Sequence, residues 1–404
     1  MRRLRTADSL TTDYGGRERT MVVIDVDTHW ETGAFAPGAH PLEPWLDRID
    51  TRPVERLASA IAGDVLDALP AGRRPDGATL LPQLVKAAEV TNGPVILHPQ
   101  HASTAAERVA WMDAIGIDHC LVNPGGYWQL LELLGPDRPE GVRRCNDFLA
   151  EQLADGGGRL HGVAVVDFSD LHAGAEELAR ARARGHRAFF LYTVNGRPPS
   201  PVPPGHPDWD VVWSAATDLG MVASIHVGNT YADFTAWADI GWDRPGGGGP
   251  GALTRLANTQ RVHVAQNLLV SMLYGGVFQR HPNLSVVLEE MKVGWLPSFV
   301  DMCARQSEPS FGLGDWPYDL SGGDMLRRNV KFTPLPGFGD VEAIDVVRAF
   351  PEMALFSSDY PHFEGNADPI NLYGDSLDAL GPELRDRFLG ANAVEAFART
   401  GDPL

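Results

Sequence analysis

Cysteine, positive charge and long apolar runs are all scarce in this sequence. The 404 residues include only three cysteines, Cys120, Cys145 and Cys303, which stand far apart. This spacing predicts neither a disulfide framework nor a zinc knuckle, and it suits the reducing conditions of the cytoplasm. No apolar run approaches the length that crosses a bilayer, so we expect a cytoplasmic protein with no membrane partner.

Basic residues are outnumbered by acidic ones, and the formal net charge is -19. A nucleic-acid backbone would be repelled by such a chain, so we expect no nucleic-acid partner. Arg2, Arg3 and Arg5 make the N-terminus locally basic, but no apolar segment follows them and a secretory signal is not expected. We interpret residues 1–20 as a flexible tail and residues 21–404 as a single domain.

The sequence also lacks a glycine-rich phosphate turn after an early strand, because its run of four glycines at 246–249 falls in a long loop. A doubly wound open sheet usually carries such a turn, so this fold is disfavoured. What the sequence has instead is a regular alternation of apolar runs with helical patterns. Strands are predicted at 21–24, 117–122, 162–166, 188–192, 221–226, 284–289, 330–332 and 354–358. Helices are predicted at 102–115, 141–153, 173–184, 209–219, 261–279, 293–305, 341–350 and 383–398.

Eight strand–helix units predict an α/β fold of the (β/α)8 TIM-barrel type. Long insertions are expected in the βα loops at 32–93, 228–260 and 306–328. These insertions and the neighbouring strand ends are rich in aromatic residues, which predicts a roofed pocket for a sizeable apolar substrate.

The first predicted strand ends in the stretch MVVIDVDTHWE, residues 21–31, where acids and a histidine alternate. Side chains at i, i+2 and i+4 of an extended chain share one face, so Asp25, Asp27 and His29 are expected to leave the strand together. An apolar core does not tolerate three such groups unless something satisfies them. A metal cation would do so.

Further candidate ligands follow other strands, and the carboxyl ends of barrel strands meet at one face. His226 ends the fifth strand, Glu289 and Glu290 end the sixth, and Asp359 follows the eighth with His362 just beyond. The remaining strands end in weaker candidates. These are Asn123, Asp167, Tyr192 and Thr333. The concentration of Asp, Glu and His at one barrel mouth predicts a metal-dependent enzyme.

With these motifs in order, the chain resembles the amidohydrolase superfamily, in particular its "amidohydrolase 2" branch of metal-dependent TIM barrels. The motifs that carry the resemblance are IDVDTH at 24–29, SIHVG at 224–228, HPNLSVVLEEMKVGWLP at 281–297 and FSSDYPH at 356–362. The resemblance implies that Asp27 and His29 replace the usual His-x-His pair, that His226 is a metal ligand, and that Asp359 binds metal or takes a proton.

The sequence departs from that pattern on strand six. Decarboxylases of the branch place their catalytic histidine where Glu290 stands, and no lysine follows strand four to supply a carboxylated bridge. Mixed carboxylate and imidazole ligation suits iron or manganese at least as well as zinc. The carboxylate-rich set resembles a non-haem diiron monooxygenase offshoot of the family, of the type met in platensimycin-like diterpenoid biosynthesis.

The first hypothesis is therefore an oxygenase in secondary metabolism with two irons that uses dioxygen to hydroxylate a bulky apolar substrate of the CoA-linked or terpenoid kind. Its metal ligands would be Asp27, His29, His226, Glu290 and Asp359. Its catalytic groups would be Glu290, Asp359 and His362. The groups that would hold a second metal or support the ligands are Asp25, Glu31, His98, His101 and His362.

The alternative is a hydrolase or decarboxylase with a single zinc or manganese ion that acts on a carboxylate substrate, with Asp359 or Glu290 as general base. A metal-free binding protein on a degenerate barrel is the third hypothesis, and the co-occurrence of the strand-end ligands disfavours it. A small-molecule substrate is expected in both enzyme hypotheses, and a homodimer is compatible with either.

Overall fold

The computed structural model describes residues 21–31, 39–48, 102, 104–193, 200–227, 252–310, 314–335, 343–362 and 368–401. Several predictions lie outside these residues. They concern the tail at 1–20, His98 and His101, the glycine run at 246–249, and most of the insertions at 32–93 and 228–260.

Seven parallel strands form one curled sheet in which spatial order follows chain order. The strands are β1 (Ile24–Trp30), β2 (His119–Pro124), β3 (Leu160–Ala164), β4 (Ala188–Phe190), β5 (Val222–His226), β6 (Val286–Glu289) and β7 (Val330–Phe332). β2 to β7 coincide with predicted apolar runs to within a few residues, whereas β1 shares only Ile24 with the run predicted at 21–24 and continues through the acidic stretch that follows it. Their nearly continuous burial explains why these runs do not alternate with polar residues.

An eighth segment, residues 354–360, closes the sheet. Ala354 bridges Phe332 of β7 and Tyr360 bridges Thr28 of β1, both in parallel orientation. Backbone hydrogen bonds accompany these bridges, from Leu355 N–H to Phe332 O at 2.9 Å and from Val26 N–H to Phe356 O at 3.1 Å. The prediction of a (β/α)8 barrel is thus confirmed.

Helices separate the strands and cover the outside of the barrel. The α-helices of the described residues are α1 (Glu43–Leu46), α2 (Ala105–Ile115), α3 (Arg138–Leu153), α4 (Leu171–Ala183), α5 (Asp210–Asp218), α6 (Ala252–Tyr274), α7 (Val277–Arg280), α8 (Leu296–Arg305), α9 (Gly322–Asn329), α10 (Ala343–Ala349), α11 (Pro369–Tyr373), α12 (Asp375–Asp378), α13 (Pro382–Asp386) and α14 (Asn392–Arg399). Short 3-10 segments lie at Gly126–Leu133, Gly135–Asp137 and Pro207–Trp209, and a π-helical turn lies at Arg387–Ala391.

Local sequence signals explain where α2 begins and ends. Thr104 and Glu107 form a reciprocal capping box at its start, and Gly116 ends it in the left-handed conformation with φ 80°. This helix matters for the site because it packs behind the carboxyl end of β1, where Arg108 donates to the His29 carbonyl.

Two predicted helices are broken in the structure. The single helix predicted at 261–279 is divided into α6 and α7 at Gly275 and Gly276, where Gly276 takes φ 77°. A Cβ on Gly275 would lie 2.3 Å from the Gly205 carbonyl oxygen, so a close backbone approach requires glycine there. The closing helix predicted at 383–398 is interrupted by the π-helical turn. The predicted insertion at 306–328 includes most of α9, which Ser321 caps.

The core is one apolar cluster between the barrel strands and the surrounding helices. The three cysteines are buried and unpaired. Among the described residues, no helix combines the length and apolar character needed to cross a membrane.

Candidate metal centre

Histidines and carboxylates from four strand ends converge at the carboxyl face of the barrel. Two groups of four residues each offer ligand atoms that all lie within 4.8 Å of one another. The first group is Asp27, His29, His226 and Glu290, and the second is His29, Glu290, Asp359 and His362. The two groups share His29 and Glu290, so they form a single continuous centre.

His29 is at the middle of this centre. Its Nε2 lies 3.3 Å from Asp359 Oδ1, 3.4 Å from Asp27 Oδ1 and 3.6 Å from Glu290 Oε1. His226 Nε2 lies 3.3 Å from the same nitrogen and 3.5 Å from Glu290 Oε1. Two imidazole nitrogens that face each other among three carboxylates match the donor set of a divalent cation.

Several oxygens of the centre lack a hydrogen-bond partner among the described residues, although they are buried. They include Asp27 Oδ2 and Asp359 Oδ2. Buried carboxylate oxygens are costly when nothing satisfies them. The residues present therefore fit a metal ion, which would satisfy these oxygens.

Polar side chains from neighbouring strands hold the ligands in place. Asn123 of β2 donates from Nδ2 to Asp27 Oδ1 at 2.9 Å, and Thr333 after β7 accepts from the Glu290 N–H at 3.3 Å. The sequence marked both as weak strand-end candidates. Asp167 and Tyr192 lie elsewhere at the barrel mouth, where Arg138 contacts Asp167 at 3.8 Å and donates to the Tyr192 hydroxyl.

Adjacent glutamates at the end of β6 have opposite electrostatic environments. Burial and the charge of Asp27 raise the pKa of Glu289 well above its usual value, and Ser224 Oγ donates to it at 2.6 Å. Burial also acts to raise the pKa of Glu290, but His226 and His29 outweigh it and hold that pKa well below the usual value. Glu290 is therefore the member of the pair that is held as an anion.

Glu290 and Asp359 both have left-handed backbone conformations, with φ 57° and φ 55°. This conformation costs a non-glycine residue on the order of 1–3 kcal/mol, and such residues cluster at functional sites. Glu290 directly follows β6, and Asp359 directly follows residues 354–358 of the eighth segment. The left-handed conformation breaks strand alternation and brings the carboxylate to the centre.

Asp25 is placed differently from Asp27 and His29. The pairing of β1 with β2 shifts register between Asp25 and Thr28, so the alternation expected from the sequence is interrupted. Asp25 Oδ1 accepts hydrogen bonds from Ser358 N–H at 3.0 Å and Asp27 N–H at 3.4 Å, and Asp25 belongs to neither ligand group. Burial, with the charge of Asp27, raises the pKa of Asp25 to about 7.

Glu31 and His362 extend the centre on the side of Asp359. The His362 ring stacks on the His29 ring with centroids 3.9 Å apart, and its Nδ1 lies 2.8 Å from Asp359 Oδ1. Its Nε2 lies 3.5 Å from Glu31 Oε1. A continuous path thus runs from Asp359 through His362 to Glu31. His98 and His101 lie outside the described residues.

Sequence reasoning missed two groups. Ser224 lies inside the apolar strand β5 and supports Glu289, and a polar residue within such a run is the signal that could have identified it. Arg108 is a basic residue on the buried face of α2, which it shares with Ala105 and Met112, and its donation to the main chain of His29 depends on tertiary contacts that the sequence does not show.

A model of the amidohydrolase family matches residues 24–399 of the chain. Among solved structures, an amidohydrolase from Mycobacterium avium subsp. paratuberculosis K-10 is similar with a TM-score of 0.61 and 19% identity, over 93% of this chain and 99% of the other. The 2,6-dihydroxybenzoate decarboxylase from Rhizobium gives a TM-score of 0.60 at 17% identity, over 94% and 99%.

A 5-carboxyvanillate decarboxylase from Novosphingobium aromaticivorans, complexed with manganese and 4-hydroxy-3-methoxy-5-nitrobenzoic acid, gives a TM-score of 0.60 at 18% identity, over 98% of this chain and 100% of the other. At these identities the structural matches show a shared fold. The family match spans nearly the whole barrel, which confirms the resemblance seen in the sequence: the chain belongs to the amidohydrolase family.

Proposed function

We propose that this chain is a metal-dependent enzyme that uses one divalent cation to decarboxylate or hydrolyse a carboxylate-bearing small molecule. The observation that carries the proposal is the convergence of Asp27, His29, His226 and Glu290 with buried carboxylate oxygens that have no partner among the described residues. The similar structures named as decarboxylases support this reaction class, and one of them was solved with manganese and a nitrobenzoic acid.

The four residues of the first ligand group would hold the cation, which would act as a Lewis acid towards a substrate oxygen. Two carboxylates and two imidazoles suit manganese and iron as well as zinc. Asn123 fixes the orientation of Asp27, and the left-handed backbone fixes that of Glu290.

Asp359 and His362 would handle the proton that either reaction requires. Asp359 Oδ1 lies 2.8 Å from His362 Nδ1, so a proton can pass between these atoms. Glu31 lies on the far side of the His362 ring at 3.5 Å and would orient the ring. Decarboxylation needs a proton delivered to the substrate carbon, whereas hydrolysis needs one removed from water, and the same pair serves in opposite directions.

An aromatic wall beside the ligands suggests the kind of substrate. The Phe190 ring centroid lies 6.1 Å from that of His226, and the Trp128 ring lies 5.3 Å from Phe190 and 5.8 Å from Tyr192. All three aromatic residues are buried. The wall gives a planar or apolar body a surface to stack against while its carboxylate reaches the metal. We therefore propose an aromatic or similarly apolar carboxylate.

The test is metal analysis of the purified protein followed by assay of the metal-free protein reloaded with manganese, zinc or iron. A panel of hydroxybenzoates and related carboxylates is incubated under nitrogen, and carbon dioxide and hydrolysis products are measured. We expect one metal ion per chain and turnover without dioxygen. A protein that binds no divalent metal, or one that turns over substrate only with dioxygen, would contradict the proposal.

A diiron oxygenase is the second candidate, and a specific observation favours it. The two overlapping ligand groups offer six residues, Asp27, His29, His226, Glu290, Asp359 and His362, which is more than one cation requires. This candidate predicts two irons per chain and consumption of dioxygen with a bulky apolar substrate. The metal-to-protein ratio measured after anaerobic purification separates it from the first.

A further inference from the structure

Arg108 of α2 is completely buried directly behind the candidate metal centre. Its guanidinium carbon lies 4.6 Å from the ring centroid of Tyr360 and 5.7 Å from each of the rings of Trp30 and Trp111. An arginine enclosed by aromatic rings loses its hydration, a cost that an apolar side chain at the same place would not have, and fully buried arginines are rare.

The guanidinium makes one hydrogen bond to the main chain of β1. Arg108 Nη2 donates to the His29 carbonyl oxygen at 2.6 Å. Its Nε and Nη1 groups have no hydrogen-bond partner among the described residues. The side chain is therefore directed at one acceptor, the carbonyl of the residue at the middle of the ligand set.

The barrel itself leaves this carbonyl without a partner. The His29 N–H donates to Tyr360 O at 2.7 Å, and in a parallel ladder the carbonyl of the same residue would accept from the N–H of residue 362. The chain turns at that point. Pro361 has no N–H, and the His362 N–H donates to Asp359 O at 2.9 Å and not to the His29 carbonyl. Arg108 donates the hydrogen bond to the His29 carbonyl that a regular eighth strand would have donated.

We propose that Arg108 is a positioning residue of the metal centre, which fixes the main chain at His29 so that the imidazole keeps its direction towards the metal. The turn that removes the ladder partner also delivers Asp359 and His362 to the centre. Arg108 therefore compensates for the local geometry that the site requires. This inference rests on the proposed metal centre.

A role in folding alone predicts a different outcome from a positioning role. Replacement of a buried charge by an apolar side chain of similar volume is often neutral or stabilising. We therefore expect Arg108→Met to remain folded while its affinity for Co²⁺ falls by about 10–100-fold, the range found when groups that support metal ligands are removed. The visible absorption of bound Co²⁺ should also change, because it reports the geometry of the ligands.

The matched control is Arg159→Met. Arg159 also donates to backbone carbonyls, those of Ile117 and Asp118 at 2.6 and 2.9 Å, but these lie before β2 at the opposite end of the barrel. We expect this variant to lose stability and to keep wild-type Co²⁺ affinity. Arg108→Lys retains a cation at the same place and should recover part of the affinity.

The metal-free full-length proteins are titrated with Co²⁺. Calorimetry measures the affinity, visible absorption reports the ligand geometry, and circular dichroism checks that each variant is folded. Folded Arg108→Met with wild-type affinity and spectrum would overturn the positioning role while leaving the metal centre intact. If Arg108→Met does not fold, Arg108→Leu, which also removes the donor, is titrated in its place, and wild-type affinity with a wild-type spectrum in that variant overturns the role. Wild-type protein that binds no Co²⁺ overturns the metal centre, and the role of Arg108 with it.

Discussion

Replacement of Glu290 by glutamine tests the candidate centre at its most unusual position. The amide keeps the size of the side chain and removes its charge, so packing at this buried position is preserved. Glu290 Oε1 lies 3.5 Å from His226 Nε2 and 3.6 Å from His29 Nε2, and no other residue except His29 belongs to both ligand groups. A ligand shared in this way should affect metal binding more than any residue that only supports a ligand.

The expected size follows from linkage between binding and stability. Loss of a group that supports a ligand costs about 10–100-fold in metal affinity, so loss of an anionic ligand should cost at least about 100-fold. With free metal at about 1,000 times the wild-type Kd, bound metal stabilises the wild type by ~4.1 kcal/mol and the variant by ~1.4 kcal/mol. At roughly 2 °C per kcal/mol for a long chain, the metal-induced rise in Tm should be about 5 °C smaller in the variant.

The assay is thermal unfolding with and without Mn²⁺, combined with metal analysis of the dialysed protein. Glu289→Gln is the control, since Glu289 is adjacent and equally buried but belongs to neither ligand group. Burial raises the pKa of Glu289, so removal of its charge should perturb the centre less than removal of the Glu290 charge, and the metal-induced shift should not change. A Glu290→Gln variant with full metal content, a wild-type Tm shift and no turnover would refute the ligand role and assign Glu290 as a general base.

Three further predictions concern single residues. His29→Ala should lose most bound metal while circular dichroism remains that of the wild type, because it removes a strand-end ligand and not a core packing group; wild-type metal content in this variant would disprove the assignment. Burial lowers the pKa of His186 to about 4 from 6.5. Between pH 6.5 and 4, His186 therefore binds a proton in the unfolded chain but stays neutral in the native state. Its contribution to the free energy of unfolding is complete above pH 6.5 and should be lost as the pH falls towards 4. The loss should be about 3 kcal/mol, and urea unfolding of His186→Gln, which cannot titrate, should not show it. Gly162→Ala should cost about 1–3 kcal/mol, because its Cβ would lie 2.5 Å from His186 Nδ1; unchanged urea stability would contradict this packing argument.

The barrel was predictable because most of its strands lie in buried apolar runs. Strands such as β5 and β6 are covered on both faces, so their residues are apolar without alternation and stand out between helical patterns. Helix interruptions were not predictable in the same way. The break between α6 and α7 depends on the approach of Gly275 to Gly205, which is a contact between distant parts of the chain.

The convergence of His29, His226, Glu290 and Asp359 followed from topology, since parallel barrel strands end at one face. The placement of Asp25 did not follow, because alternation assumes a regular strand. The register shift between Asp25 and Thr28 inserts an extra residue into β1, so the spacing i, i+2, i+4 no longer defines a face. Periodicity can therefore identify candidate ligands at a strand end. Which of them face the metal centre depends on irregularities such as this register shift, which only the structure shows.

The backbone of two acidic residues at the centre, Glu290 and Asp359, gives an argument that is independent of their spacing. At φ 57° and φ 55°, Glu290 and Asp359 occupy positions where stability alone would favour glycine. A fold selected for stability would lose about 1–3 kcal/mol at each position by keeping an acid there, and it would also bury a carboxylate. The chain bears both costs at two strand ends whose carboxylates both face His29. Both features are expected if a bound cation stabilises the buried carboxylates, and packing alone does not explain them.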